Sequence, residues 1–288
     1  MNTGAGPGAP RVRAEQLWKQ STPIPHIETT NAARRRMENS MLLENKNAII
    51  YGAGGAVGGA VARAFAREGA RVFLTGRNLG AINTLAKEIS AAGGAAETAQ
   101  VDALDEEAVA SHLDAVVDKA VTVDISFNAI GIPQQGMQGI PFTELSVESF
   151  SLPITTYARA HFVTGRAAAR HMIAVQSGVV LMHTPEPARL GAPLLGGMSP
   201  AWAAMESLNR AFSAEWAQYG VRAVCLRTTG MEETPTIDVV FGLHAKGHGI
   251  TQRNLRPPWP PRLTGNVRPR WWSSEKLLPL WPPMGPPQ

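Results

Sequence analysis

The sequence predicts an α/β protein built on one doubly wound parallel sheet with helices on both faces. Two observations lead to this fold class. Short apolar segments alternate with segments of helical periodicity between residues 46 and 226, which is typical of a parallel sheet. The first apolar segment also passes directly into a glycine cluster, Gly52 to Gly59, and then into a helical pattern. A strand, a glycine loop and a helix in that order bind phosphate, because the first helical N–H groups point at the anion.

The individual elements follow from apolar spacing and from residues that begin or end helices. The strand candidates are short and apolar, and lie at 48–51, 71–75, 97–101, 123–129, 179–183 and 221–226. The first helix ends at Arg67, Gly93 and Gly94 stop the second, and Asp105 can cap the third. A long fourth helix covers roughly 149–175, with Pro153 in its first turn because proline disrupts a helix interior. The fifth helix covers roughly 200–218.

Both ends of the chain differ in composition from this alternating region. Residues 1–45 begin with a Gly/Pro-rich segment, and residues 253–288 are rich in proline, tryptophan and arginine. Neither end shows apolar periodicity, so we expect a disordered leader, a single globular domain at 46–252 and a disordered tail. Met41 is an alternative start, and the composition of the tail also fits a shifted reading frame.

The composition excludes several functional classes. Cys225 is the only cysteine, so no internal disulfide can form and a reducing compartment, the cytoplasm, is expected. No long uncharged apolar run is free of helix breakers, so no membrane span is predicted. The net charge is +4, but acidic residues outnumber basic ones within 46–252. A nucleic-acid-binding domain would carry a basic patch on its folded part, so no nucleic-acid partner is expected.

Residues of distinct chemistry stand at the ends of the predicted strands, where ligands bind on such sheets. Arg77 follows the second strand with no acidic residue beside it. In dinucleotide sites an acid there binds the ribose 2′-hydroxyl and an arginine accommodates a 2′-phosphate, so NADP(H) is favoured over NAD(H). Asp102 follows the third strand, where its carboxylate can accept from an adenine amino group. Asn128 ends the fourth strand, where its amide can hold the strand ends in place.

From about Leu42 to Thr236 the chain resembles the short-chain dehydrogenase/reductase family, which has a Rossmann-type fold. Residues 51–58, Tyr-Gly-Ala-Gly-Gly-Ala-Val-Gly, match the family's Thr-Gly-x-x-x-Gly-x-Gly, with Tyr51 and Ala56 as departures. Residues 128–131 match its Asn-Asn-Ala-Gly, and Thr234 falls where a threonine commonly meets the nicotinamide carboxamide. The resemblance implies an NAD(P)-dependent oxidoreductase. Its cofactor-binding residues would be Gly52, Gly54, Gly55, Val57, Gly58, Arg77, Asp102, Ala103, Asn128, Ala129, Gly131 and Thr234.

The catalytic residues of the family are not matched. Members use a tyrosine as acid/base and a lysine four residues later, and matching the flanks places Met198 and Trp202 at these positions. The chain has three tyrosines, none of them four residues before a lysine, and no lysine between Lys119 and Lys246. A thioether cannot donate a proton and an indole does not titrate near neutral pH. We therefore expect ordinary carbonyl reduction to be nearly lost.

Other residues are candidates to replace this pair. The resemblance places the family's catalytic serine at Thr184 and its asparagine roughly at Tyr157. His183 precedes Thr184 and titrates in the right range, Glu186 is close in sequence, and His161 lies one helical turn from Tyr157. The candidate catalytic residues are Thr184, His183 and Tyr157. No metal site is predicted.

The sequence thus predicts an NADP(H)-binding oxidoreductase similar to the short-chain dehydrogenases/reductases (SDRs). Its catalytic site is atypical or impaired, and its substrate is a small carbonyl compound, alcohol or enone. Two alternatives stay open: a non-catalytic dinucleotide-binding regulatory module, and a truncated or frame-shifted inactive product. The substrate is not identified, because the pocket-forming loops at 185–199 and 232–249 carry no recognisable chemistry. The resemblance implies a homodimer through the two long helices. Nothing after Gln252 resembles the family's last strand, so an exposed sheet edge is expected.

Overall fold

A computed structural model describes residues 41–231 and 234–255, and the expected disordered leader and tail lie almost wholly outside these ranges. Six strands form one sheet in the order β3-β2-β1-β4-β5-β6, and all neighbours are parallel. Their bounds are Asn47–Tyr51 for β1, Arg71–Gly76 for β2, Ala95–Gln100 for β3, Ile125–Asn128 for β4, Gly178–Pro185 for β5 and Val221–Thr228 for β6. The predicted Rossmann-type fold class is confirmed.

The strand order reverses between β1 and β4. The chain first moves outward from β1 to β3 and then returns to the other side of β1. The connections that leave β1 and β4 therefore diverge to opposite sides of the sheet. A crevice opens above the carboxyl ends of these two strands, and ligands bind in such a crevice.

Seven α-helices lie within the described residues. They are α1 (Ala56–Arg67), α2 (Leu79–Ala91), α3 (Glu106–Ala120), α4 (Val147–Ala174), α5 (Met198–Trp216), α6 (Pro235–Gly247) and α7 (Gln252–Leu255). None of these helices is both long and apolar enough to cross a bilayer. Because side chains alternate along a strand, β1 supplies both faces of the core. Ile50 packs in the cluster with α1 and α2, and Ile49 packs in the cluster with α3, α4 and α5.

Two local predictions were wrong. The helix α4 begins at Val147, because Ser146 accepts a hydrogen bond from the Ser149 N–H at 3.1 Å and caps it. Pro153 consequently lies in the second turn, not the first, and the Ser149 carbonyl has no proline N–H to bind. Residues 235–247, taken as part of a loop, form α6 with Pro235 at its first position, where proline is favoured.

The strand β6 lies at the edge of the sheet formed by the described residues. Its side chains Val224 and Leu226 are 36% and 48% exposed. Within the described residues β6 therefore has no neighbour on its outer side; the expectation of an exposed edge concerns the residues after Gln252, almost all of which lie outside the described ranges.

A buried carboxylate on α5 joins this helix to β5, to the loop after β5 and to β6. Glu206 of α5 is 5% exposed and accepts from Arg227 Nε at 2.7 Å, Arg189 Nε at 3.1 Å and the Thr184 hydroxyl at 3.2 Å. Burial by itself would raise the pKa of Glu206, but the hydrogen bonds from Arg227 and Arg189 hold it below its ordinary value. This cluster fixes the loop after β5 against α5 and β6.

We expect Glu206→Gln to lower the free energy of unfolding by about 2 kcal/mol at pH 7, because two arginines lose their buried counter-charge. The folded-state pKa is lowered, so the ionised carboxylate stabilises the fold fully above its ordinary pKa of 4.5. This stabilisation fades as the pH falls through the folded-state value. The difference between wild type and variant, measured by urea unfolding, should therefore shrink below pH 4.5.

Glu88→Gln is the control, since the Glu88–Arg63 pair is about half exposed on both sides and such pairs contribute about 0–1 kcal/mol. An equal loss in both variants, or a Glu206→Gln loss that does not change with pH, would contradict the role assigned to this cluster.

Candidate functional site

A cleft of about 1880 Å³ lies over the carboxyl ends of the strands. It brings together most of the residues singled out in the sequence. Those that line it are Gly52, Gly54, Gly55, Val57, Arg77, Asp102, Ala103, Asn128, Ala129, Gly131, Tyr157, His183 and Thr234. Gly58 and Thr184 do not line it. Most of the residues predicted from the sequence therefore lie around one cleft, and Gly58 and Thr184 are the two exceptions.

The glycine loop between β1 and α1 is built on two close backbone approaches. Gly52 has φ +71°, and a methyl group on it would lie 2.7 Å from the Ala129 carbonyl oxygen. A methyl group on Gly58 would lie 2.4 Å from the Gly52 carbonyl oxygen. Only glycine fits either position. Gly58 thus contributes by letting α1 approach the loop and not by lining the cleft.

The amino terminus of α1 opens into the cleft. Gly55 is its N-cap, with no side-chain cap and no acidic residue in the first turn. The first helical N–H groups therefore keep their hydrogen-bonding capacity for a ligand, and the helix dipole favours an anion there. The loop is held in place by the Ala53 N–H, which donates to the Thr75 carbonyl at 3.0 Å. This cradle fits the pyrophosphate of a dinucleotide.

Arg77 and Asp102 stand at the ends of β2 and β3. Arg77 is exposed, and its guanidinium forms no salt bridge with any residue of 41–231 or 234–255. Its backbone is held by Gln100 Nε2, which donates to the Arg77 carbonyl at 3.1 Å. Asp102 Oδ1 accepts from the Leu104 N–H at 3.0 Å, which leaves its other carboxylate oxygen for a ligand. Both side chains are thus placed to contact a bound nucleotide.

Asn128 connects the end of β4 to the long helix α4. Its Nδ2 donates to the Thr164 hydroxyl at 3.0 Å, and its Oδ1 accepts from the Ile130 N–H at 3.1 Å. The side chain is 4% exposed. Asn128 therefore holds the strand end, as expected. A methyl group on the nearby Gly131 would meet nothing within 4 Å, so Gly131 faces open space in the cleft.

Met198 and Trp202 lie one turn apart on α5, and both line the cleft. Met198 is 1% exposed and belongs to an apolar cluster with Tyr157 and Met205, against which Trp202 packs. The only titratable group of this cluster is the Tyr157 phenol, whose pKa is raised by burial. The cluster therefore presents apolar surface to the ligand.

Two histidine side chains border this apolar surface. His183 Nε2 lies 2.7 Å from the Thr228 hydroxyl. His161 Nδ1 lies 2.9 Å from the Tyr157 carbonyl, so it donates, and its buried Nε2 has no hydrogen-bond partner among the described residues. Burial lowers the pKa of His161 to about 4 and also lowers that of His183. Both imidazoles are neutral at pH 7.

Thr184 does not take the position expected for it. Neighbouring residues on a strand face opposite sides of the sheet, and here His183 and Pro185 line the cleft. The Thr184 hydroxyl is instead fully buried, donates to Glu206 and lies 3.4 Å from Cys225 Sγ. It is committed to the structural cluster around Glu206, so Thr184 is not a candidate catalytic residue.

The sequence analysis missed a group of polar residues on the α6 side of the cleft. Gln134, Gln138 and His244 line it, and Gln138 is only 2% exposed. No local pattern marks a glutamine for burial, and the segment carrying His244 was taken as a loop. Nothing in the sequence therefore pointed to this group.

Comparison with known proteins identifies the family. The model of the short chain dehydrogenase family matches residues 46–240. The chain belongs to this family. It is 31% identical over 201 residues to "Uncharacterized oxidoreductase YxbG" of Bacillus subtilis (strain 168), which covers 69% of this chain and 71% of that protein. It is 28% identical over 180 residues to the gluconate 5-dehydrogenase of Gluconobacter oxydans (strain 621H), covering 62% of this chain and 69% of that protein.

Two solved structures are similar to this chain. The NAD+-bound xylitol dehydrogenase is 24% identical with a TM-score of 0.67, over 71% of this chain and 78% of that chain. A metagenomic short-chain oxidoreductase in complex with NADP is 25% identical with a TM-score of 0.59, over 66% and 83%. This chain is therefore a member of an NAD(P)-dependent oxidoreductase family, and the glycine loop and α1 fit that cofactor.

We expect Gly58→Ala to weaken NADPH binding at least tenfold, because the new methyl group forces the Gly52 carbonyl away from α1 and opens the phosphate cradle. Fluorescence titration with NADPH measures the change. Gly59→Ala on the same helix is the control, since its methyl group would meet the flexible Arg63 side chain at 3.3 Å. Alanine also favours the helix by about 1 kcal/mol. Equal affinity in the two variants would contradict this account of the loop.

Proposed function

We propose that the protein is an NADP(H)-binding oxidoreductase of the cytoplasm with an impaired acid/base site. It reacts slowly with ordinary carbonyl compounds and alcohols and less slowly with an activated C=C bond such as that of an enone. The observation that carries this proposal is the apolar cluster around Met198 and Trp202, which lines the cleft where the resemblance places the tyrosine and lysine.

The preference for NADP(H) is supported by Arg77. Its guanidinium is exposed at the end of β2, no described acid neutralises it, and a 2′-phosphate would supply the missing counter-charge. Asp102 is one strand further along the sheet edge and is available to the adenine. The phosphates would bind at the amino terminus of α1, and Thr234, at the N-cap position of α6, would lie beside the nicotinamide.

When bound, the nicotinamide supplies or accepts the hydride, so the chain's own residues must handle the proton. Hydride addition to a carbonyl develops the charge of a strongly basic alkoxide, so its transition state depends on a positioned proton donor, which contributes about 10²–10⁴-fold. Tyr157, with a raised pKa, and the neutral His183 are poor donors. Reduction of an enone produces an enolate, a much weaker base, and so depends less on them.

A non-catalytic module that binds the dinucleotide as a ligand is the second candidate. The observation that favours it is the state of the three polar groups beside the apolar cluster. His161 donates to a backbone carbonyl, His183 is paired with Thr228, and burial opposes ionisation of Tyr157. Absence of turnover on any carbonyl or enone, with intact NADPH binding, would select this function.

A homodimer is proposed for either function. The long helices α4 and α5 pack on one side of the sheet, and Phe162 on α4 remains 44% exposed with the Arg166 guanidinium 5.0 Å from its ring. The other contact of this ring is with Phe212, at 6.4 Å between centroids, and partly exposed aromatic rings and arginines are enriched at interfaces. The molecular mass in solution, measured by light scattering, tests this proposal.

We expect Arg77→Ala to weaken NADPH binding at least tenfold and to change NADH binding little, because the guanidinium contacts only the 2′-phosphate. Fluorescence titration with both dinucleotides measures the ratio. Arg67→Ala, at the end of α1 and outside the cleft lining, is the matched control. Equal weakening of NADPH and NADH by Arg77→Ala would contradict the assignment of NADP(H).

We expect the double variant Met198→Tyr/Trp202→Lys to raise turnover of a simple carbonyl compound by about 10²-fold, because it supplies a proton donor and a charge that lowers its pKa. Steady-state NADPH oxidation measures this gain. Met198→Phe/Trp202→Lys has the same ring and charge without the hydroxyl, and should show no gain. A wild-type rate already equal to that of the Tyr/Lys variant would rule out an impaired site.

A further inference from the structure

Three side chains form a hydrogen-bonded chain on the α6 side of the cleft, and none of them is among the residues assigned to the dinucleotide. Gln134 Nε2 lies 2.6 Å from the Ile132 carbonyl oxygen. Gln138 Nε2 contacts Gln134 Oε1. His244 Nε2 lies 2.9 Å from Gln138 Oε1. These contacts connect the loop after β4 to α6.

The direction of this chain is set by its first member. A backbone carbonyl only accepts, so Gln134 must donate to Ile132 and present its own amide oxygen to Gln138. Gln138 then donates to Gln134 and presents its oxygen to His244. His244 must therefore carry its proton on Nε2. Its Nδ1 is left with a lone pair, which can only accept a hydrogen bond.

This lone pair is available to a ligand. His244 lines the cleft, and its hydrogen bond to Gln138 uses Nε2 and leaves Nδ1 outside that contact. Burial, together with the nearby His248, lowers the pKa of His244 to about 4. The imidazole is thus neutral at pH 7 and accepts from a donor such as a hydroxyl group.

The position of His244 is held by backbone packing. A methyl group on Gly139 would lie 2.4 Å from the Leu243 carbonyl oxygen, and one on Gly247 would lie 2.4 Å from the Gly139 carbonyl oxygen. The loop after β4 and α6 therefore touch along their backbones on both sides of His244. With Gln138 2% exposed, the acceptor is preorganised and needs little rearrangement to bind.

The rest of this side of the cleft is largely apolar, and its other polar side chains include Thr236, His248 and Asn254. Its lining includes Leu195, Met198, Trp202, Ile237, Val240 and Phe241. Among the described lining residues the only Lys or Arg is Arg77, at the dinucleotide side, and the only carboxylates are Asp102, also on that side, and Glu186. An anionic substrate would lose its water and find no lysine or arginine to pair with on this side.

We propose that the α6 side of the cleft binds an uncharged, largely apolar substrate through a hydroxyl group that donates to Nδ1 of His244. His244 is the residue that determines this specificity, and Gln138 and Gln134 are positioning residues that fix its tautomer. The inference rests on the proposed function, because it names the substrate class of that oxidoreductase. It adds a requirement for a neutral molecule with a hydrogen-bond donor.

Three probes of similar size and the same ring test the proposal: cyclohexylmethanol, its methyl ether and cyclohexanecarboxylate. Their dissociation constants are measured on the NADP+-loaded full chain at pH 7.5 by saturation-transfer NMR titration. We expect the alcohol to bind tightest and the ether about three- to tenfold more weakly, because the ether lacks the donated proton. The carboxylate should bind more weakly than either.

Two variants separate the acceptor from the structural chain. His244→Gln keeps a side-chain N–H for Gln138 but has no acceptor at the position of Nδ1, because its amide oxygen branches away from that position. It should therefore bring alcohol and ether to equal affinity with an unchanged melting temperature. His244→Asn places an amide oxygen near the former Nδ1 and should keep part of the difference. His171→Gln, on α4 outside the cleft lining, is the control and should leave the difference intact.

The inference is overturned if the carboxylate binds as tightly as the alcohol, if His244→Gln leaves the alcohol–ether difference unchanged, or if no probe binds at millimolar concentration. NADPH titration of the same wild-type sample distinguishes a failure of this inference from a failure of the proposed function. If the chain binds no dinucleotide, the proposed function is contradicted, and the probes are then measured on the chain without NADP+. If the chain binds NADPH but binds the carboxylate more tightly than the alcohol, only this inference is contradicted.

Discussion

The backbone contact between the β1–α1 loop and the end of β4 is the constraint on which the rest of this structure depends. Gly52 and Gly58 let three segments meet at distances that any side chain would prevent. That meeting places the first N–H groups of α1 beside the end of β4 at the point where the strand order reverses. The phosphate cradle and the position of Asn128 both follow from it.

A second constraint shapes the other half of the cleft. Glu206 ties the loop after β5 to α5 and β6 through two arginines and Thr184. The Thr184 hydroxyl donates to Glu206 on the face of β5 away from the cleft, and its neighbours His183 and Pro185 lie on the ligand side. The same helix α5 presents Met198 and Trp202 to the ligand. The cleft therefore combines a polar cradle for phosphate with an apolar surface, and it places few groups able to move a proton between them.

Much of the fold was predictable because its signals are local. Strand and helix order followed from apolar periodicity, and the phosphate loop from glycine spacing. Two errors had local causes as well. The start of α4 was misplaced because Ser146 was not recognised as its cap, and α6 was taken as a loop because its apolar residues show no clear stripe.

The sequence by itself determined the family, the parallel sheet and most of the residues that line the cleft, since each strand end carries its own signal. Only the tertiary structure decided which face of β5 lines the cleft, and hence that Thr184 faces Glu206 and not the ligand. It alone revealed the chain from Ile132 to His244, whose last hydrogen bond joins residues 106 positions apart. Such contacts depend on how loops pack over a sheet, and no periodicity along the chain records that packing.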